Sequence, residues 1–150
     1  MRDTQILICY DGSDEAHHAI DVAAELLGPR RAVVLDIGPV LTTAESFATL
    51  SSVVPGTAFE DLNEDDALQR ARAGAELAGR AGFTAQARGE TAAGAWEGIV
   101  DVAEEIDAAV IVIGSRGLNG ARELFEGSVS HEVAAHAGRP VLIVPPKGDE

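Results

Sequence analysis

One cysteine, one tryptophan, one tyrosine and four phenylalanines are all that these 150 residues hold of the types that usually staple or bulk out a small fold. A lone Cys9 rules out an internal disulfide framework, and in "QILICYDGS" it reads as a small apolar residue in a buried strand. Aromatics are 4% of the chain while hydrophobic residues reach 46%, so the core is built from Ala, Val, Ile and Leu, the composition of a parallel sheet clad in helices. Cations are also scarce. Eleven Lys and Arg stand against 25 Asp and Glu, a formal net charge of -14, and that field repels a polyphosphate backbone, which argues against generic nucleic-acid binding. It opposes a nucleotide too, so a phosphate site here has to work through local amides and nearby cations. No apolar run reaches membrane-spanning length, and "MRDTQILICYD" carries too short an apolar stretch for a signal peptide. The expectation is a soluble, cytoplasmic protein whose residues 1–150 form one domain, with no membrane and no nucleic-acid partner.

Five short segments are rich in branched aliphatics: "TQILICY", "RAVVLDI", "FTAQARG", "AAVIVIG" and "PVLIVP". Longer Ala/Glu/Leu stretches with helical spacing separate them. In "SDEAHHAIDVAAELLG", Ala16, Ile20, Ala23, Ala24 and Leu27 share one face, Ser13 is placed to cap, Asp14 and Glu15 occupy the first turn, and Gly28-Pro29 is the stop. Further helices are expected over about Phe59 to Ala81, Ala93 to Ile106 and Ser128 to Ala137. The interval Gly38 to Ala58, with Pro39, Pro55 and scattered Ser and Thr, reads as a pliable insertion near strand two. Alternating strands and helices predict an α/β fold, a doubly wound five-stranded parallel sheet with helices on both faces.

Such sheets bind ligands at the carboxyl ends of the strands where the strand order reverses. In the order 3-2-1-4-5 that point lies between strands one and four, bringing together Asp11, Gly12 and Ser13 with "GSRGLNGARELFEGS", residues 114 to 128. The latter is too long and too glycine-rich for a plain turn. Gly114 and Gly117 leave backbone free to approach a ligand. At the start of helix four the amides of Gly127, Ser128 and Val129 face the crevice, the hydroxyls of Ser128 and Ser130 add donors, and Arg116 and Arg122 supply cations. That arrangement suits phosphate.

At these residues the chain closely resembles the universal stress protein family, whose nucleotide-binding members carry G-x2-G-x9-G-(S/T); Gly114, Gly117, Gly127 and Ser128 fill that pattern. The resemblance extends to "YDGSDEA", "VLDI" and "HAGRPVLIVP", and so along essentially the whole chain. It implies ATP as ligand, with Asp11 beside the adenosine, backbone near Ile37 against the adenine, and the loop from Gly114, Ser115, Arg116 and Gly117 to Gly127 and Ser128 around ribose and phosphates. Mg2+ would be held by ATP oxygens and waters rather than by the protein. Tyr10 stands where the family often has a smaller aliphatic residue, and Asp36 where it often has His. The resemblance also points to a homodimer through the last strand, as does the apolar edge "PVLIVP" itself.

Neither a Walker G-x4-G-K-(S/T) loop nor a dinucleotide G-x-G-x-x-G is present, and no residue stands out as a base for water. His17 and His18 point apart on a helix, as do His131 and His136, which reads as solvated histidines rather than a metal site. The expected function is a nucleotide-dependent binding or signalling module in stress response, with no catalytic residue and hydrolysis slow at most. The alternative is a structural or partner-binding stress protein that uses no nucleotide.

Overall fold

The computed structural model describes residues 4–39, 56–115 and 129–148; for residues 39 and 56–64 it describes the backbone alone. The elements run β1 (Ile6–Cys9), α1 (Asp14–Leu27), β2 (Arg31–Pro39), α2 (Gly56–Ala81), β3 (Thr84–Ala92), α3 (Ala95–Glu105), β4 (Ile111–Gly114), α4 (Val129–His136) and β5 (Val141–Val144). All strand pairs are parallel and the order is β3-β2-β1-β4-β5, as the sequence pattern predicts.

Period-two alternation sorts the side chains onto two faces. Ile6, Ile8, Tyr10, Ala32, Val34 and Val112 join one cluster with Ala16, Ala19, Ile20 and Ala23 of α1 and Ala78 of α2. Leu7, Val33, Leu35, Ile111 and Ile113 join the other with Ile99, Val102 and Ala103 of α3 and Val133 of α4. Each fully buried Ile or Leu removes enough apolar surface from water to contribute about 1.5–3 kcal/mol. Small residues let the layers come close. A Cβ on Gly89 would stand 2.4 Å from the Leu68 backbone nitrogen, and one on Gly74 would stand 2.7 Å from the Tyr10 ring, so α2 lies almost directly on the sheet because these two positions lack side chains.

The interval expected as an insertion is shorter at both ends. Register pairing of Gly38 with Thr91 and of Pro39 with Ala92 carries β2 and β3 past the glycines that suggest their ends, and α2 begins at Gly56. The remaining residues, 40–55, and with them the pliable-flap expectation, lie outside the described residues.

Candidate functional site

The site is organised by where β1 stops. Its pairing with β2 ends at Cys9 opposite Leu35, and the last bond across this border runs from the Tyr10 N–H to the Leu35 carbonyl at 2.9 Å. The chain then turns away. Gly12 has φ 84, in the left-handed region that favours glycine, and the turn is held from within. The Asp11 Oδ1 accepts from the Ser13 N–H at 2.9 Å and from the Ser13 hydroxyl at 2.5 Å, while the Ser13 Oγ accepts from the Ala16 N–H at 3.1 Å. Ser13 is thus the N-cap of α1 that the sequence predicts, with extended φ and ψ of -75 and 161.

With β1 gone, the neighbouring strands continue alone. Because the Leu35 carbonyl faces β1, alternation turns the Ile37 N–H and carbonyl toward the same side, where β1 no longer runs. On the far flank the Ser115 N–H bonds the Val144 carbonyl at 2.9 Å, so Ser115 faces β5 and Gly114 presents its own peptide edge to the end of β1. Two peptide edges therefore bracket the Asp11 turn. A Cβ on Gly114 would make ordinary contacts, 3.6 Å from the Glu15 carbonyl oxygen, and its φ is not left-handed. Among the described residues, no contact requires glycine there.

Of the residues singled out in the sequence, Asp11, Gly12, Ser13, Ile37, Gly114 and Ser115 meet at these strand ends. Val129 opens α4 and packs against the cluster that contains Ile113, and Ser130 is only 4% exposed. Arg116, Gly117, Gly127 and Ser128, with Arg122, lie outside the described residues.

Sequence reasoning missed two contacts beside the site. Asp36, 2% exposed, receives the Arg70 Nε at 2.9 Å on one oxygen and the Arg70 Nη2 at 3.1 Å on the other. Burial pushes the Asp36 carboxyl up from its ordinary range while Arg70 pulls it back, and the bond to Asp36 in turn raises Arg70. A carboxylate inside an otherwise apolar strand was the available signal, since a buried charge needs a partner. Tyr10, 6% exposed, places its hydroxyl 2.6 Å from His17 Nε2 with the rings stacked at 5.5 Å, so His17 is tied to β1 rather than merely solvated. The Cys9 thiol is pushed up to about 12 by burial and by the Asp11 charge, which makes it a poor nucleophile. Among the described residues no group of His, Cys, Asp and Glu is arranged to hold a metal, and no helix is long and apolar enough to cross a membrane.

This geometry agrees with a direct comparison: the universal stress protein family model matches residues 4–145. The chain belongs to the universal stress protein family. The universal stress protein YxiE of Bacillus subtilis is 32% identical over 148 residues, covering 93% of this chain and 97% of that protein. Hypothetical protein MJ0577 superimposes with a TM-score of 0.76 at 20% identity, over 99% of this chain and all of the other. A universal stress protein solved in complex with cAMP gives 0.66 at 22% identity over 94% and 96% of the two chains. One from Archaeoglobus fulgidus in complex with dAMP gives 0.60 at 19%, over 96% and 99%. These likenesses show that the universal stress protein fold is shared.

The buried pair yields a prediction with a definite sign. A carboxyl raised by burial costs stability once ionised, so the contribution of Asp36 is fully present below the ordinary carboxylate range and is lost as pH rises through the raised value. Arg70 limits that cost. Arg70→Met should therefore destabilise the protein by about 2 kcal/mol at neutral pH, below the ~3–5 kcal/mol of a fully buried pair because the Arg70 side chain is 43% exposed. Urea unfolding over a pH series should show the loss shrinking as pH falls toward the ordinary carboxylate range; a loss that does not change with pH would mean that the Arg70 charge does not hold Asp36 ionised.

Proposed function

We propose that this universal stress protein binds an adenine nucleotide at the carboxyl ends of β1, β2 and β4, and acts as a nucleotide-dependent binding or signalling module in stress response. The observation that carries the reading is the early departure of β1, which leaves the peptide edges of Ile37 and Gly114 facing one slot with the ordered Asp11 turn between them. An N–H and a carbonyl on one strand edge match the acceptor and donor that adenine offers side by side. The relatives solved with cAMP and dAMP support the choice of base. In this reading Asp11 lies beside the adenosine, Gly12 and Ser13 fix its turn, and the segment from Gly114 and Ser115 through Arg116, Gly117, Gly127 and Ser128 to Val129 and Ser130 takes ribose and phosphates. Glycine at 114, which no contact among the described residues demands, fits a backbone that a ligand must approach.

The proposed ligand is ATP, with Mg2+ held by its oxygens and waters. Binding rather than turnover is expected. A cradle that holds substrate and transition state alike does not accelerate a reaction, and the Asp11 carboxylate is already engaged by Ser13. The proposal includes cytoplasmic location, a single domain over residues 1–150, and a homodimer through β5, the sheet edge beyond β4 whose Val141, Leu142 and Ile143 are only partly covered. Light scattering at micromolar concentration should return twice the chain mass, and a monomer mass would exclude the dimer.

Titration calorimetry with adenosine, AMP, cAMP and ATP tests the site itself. Asp11→Ala should weaken adenosine and ATP together, whereas Gly127→Val should weaken ATP by at least tenfold, about 1.4 kcal/mol, and leave adenosine nearly unchanged. Failure of the folded wild-type protein to bind any of the four would overturn the reading in favour of a partner-binding protein without a nucleotide.

A further inference from the structure

Beyond Leu35 the β2 strand has a neighbour on one side only. Asp36 pairs with Gly89 and Ile37 with Glu90 of β3, while the pairing with β1 has already ended at Cys9. A strand end supported along one edge is free to twist about that edge unless its faces are held. Here both faces are held, by two consecutive side chains that point to opposite sides of the sheet. Asp36 faces α2, where its two carboxylate oxygens receive the Arg70 Nε at 2.9 Å and the Arg70 Nη2 at 3.1 Å. Ile37 faces α3: a Cβ on Gly98 would stand 3.0 Å from the Ile37 Cδ1 and 2.9 Å from the Ala92 Cβ, so the Ile37 side chain lies in a notch that glycine leaves open. The peptide between these two residues carries the Ile37 N–H, which faces the slot.

The ion pair is the unusual half of this grip. Apolar residues of similar volume would fill the same space at little or no loss of stability, because desolvating the buried Asp36 offsets most of what the pair gains. Direction is what they would not supply. A guanidinium bound through two nitrogens fixes the plane of the carboxylate as well as its distance, and so the rotation of residue 36 about the strand axis. The helix end of the grip is equally firm: Gly89, the partner of Asp36, lacks a side chain where a Cβ would stand 2.4 Å from the Leu68 backbone nitrogen. Leu68 and Arg70 are next-but-one neighbours, so α2 touches the sheet and grips Asp36 at one place.

Resting on the adenine-nucleotide reading above, we infer that Asp36 and Arg70 are positioning residues for the base: they set the angle at which the Ile37 N–H and carbonyl meet the ligand, and thereby the preference for a 6-aminopurine over a 6-oxopurine. Adenine presents an acceptor at N1 beside a donor at N6, which match that N–H and carbonyl. Hypoxanthine presents a donor at N1 beside an acceptor at O6, so both contacts are reversed at the same edge. Discrimination of this kind depends on orientation, since a tilted edge loses the matched contacts and the mismatched ones alike. Both side chains act through the β2 backbone, not by contact with the base.

Calorimetry with adenosine and inosine, two uncharged ligands, on wild type and on Asp36→Val/Arg70→Leu tests this. The variant removes the pair as a unit, so net charge is unchanged, and its urea midpoint should stay near that of wild type. Wild type should prefer adenosine by roughly tenfold or more, whereas in the variant adenosine should weaken by about tenfold with inosine nearly unmoved, bringing the two within about threefold. AMP and IMP, a second pair matched in charge, should give the same comparison. If the double variant does not fold, Arg70→Lys, which keeps the cation but loses the fork, should lower the preference by about threefold. Arg72→Leu, at an exposed position of α2, should leave both affinities as they are. A folded double variant with the wild-type preference, equal weakening of both ligands, or a wild type that binds the two alike would overturn the positioning role and leave nucleotide binding standing. A wild type that binds none of adenosine, AMP, cAMP and ATP would overturn both.

Discussion

The short central strand is the constraint on which the rest depends. β1 occupies the middle of the sheet, yet it ends at Cys9 while β2 runs on from Leu35 to Pro39 and β4 runs on to Gly114. A central strand that matched its neighbours would satisfy those peptide edges and leave no slot between them. The early exit is enforced locally, by a left-handed Gly12, by the Asp11 carboxylate closing on Ser13, and by Ser13 capping α1 in the same stroke. Fold stability and the parting of the strand ends therefore have a common origin, since the turn that starts α1 also takes the chain out from between β2 and β4.

Close packing on the other side of the sheet fixes how far that opening extends. Tyr10 fills the space between β1, α1 and α2, with its ring over Gly74 and its hydroxyl on His17, so the residue just before the turn is held by both helices. Arg70 reaches from α2 to the buried Asp36, next to the strand residue whose peptide edge faces the slot. Neutralising Asp36 within the protein lets a charged residue sit beside a site that is already acidic.

Most of this architecture was legible because its signals are local. Branched aliphatic runs placed all five strands, and Ser13 placed the start of α1. Strand ends were less legible. Gly38 and Gly89 look like terminators, but β2 and β3 stabilise each other through continued pairing, a long-range effect that no window of sequence contains. Asp36 and Arg70 are 34 positions apart, and only the packing of α2 on β2 brings them together. Tyr10 could be seen as a large residue in a small residue's place, whereas the glycine that accommodates it, Gly74, is on another element.

The most direct measurement is amide chemical-shift mapping of the labelled protein titrated with cAMP or ATP. The account predicts the largest shifts at Asp11 to Ser13, at Ile37 and at Gly114 and Ser115, with α1 residues beyond its first turn, such as Asp21 and Glu25, unmoved. Shifts confined to β5, or none at saturating nucleotide, would contradict it.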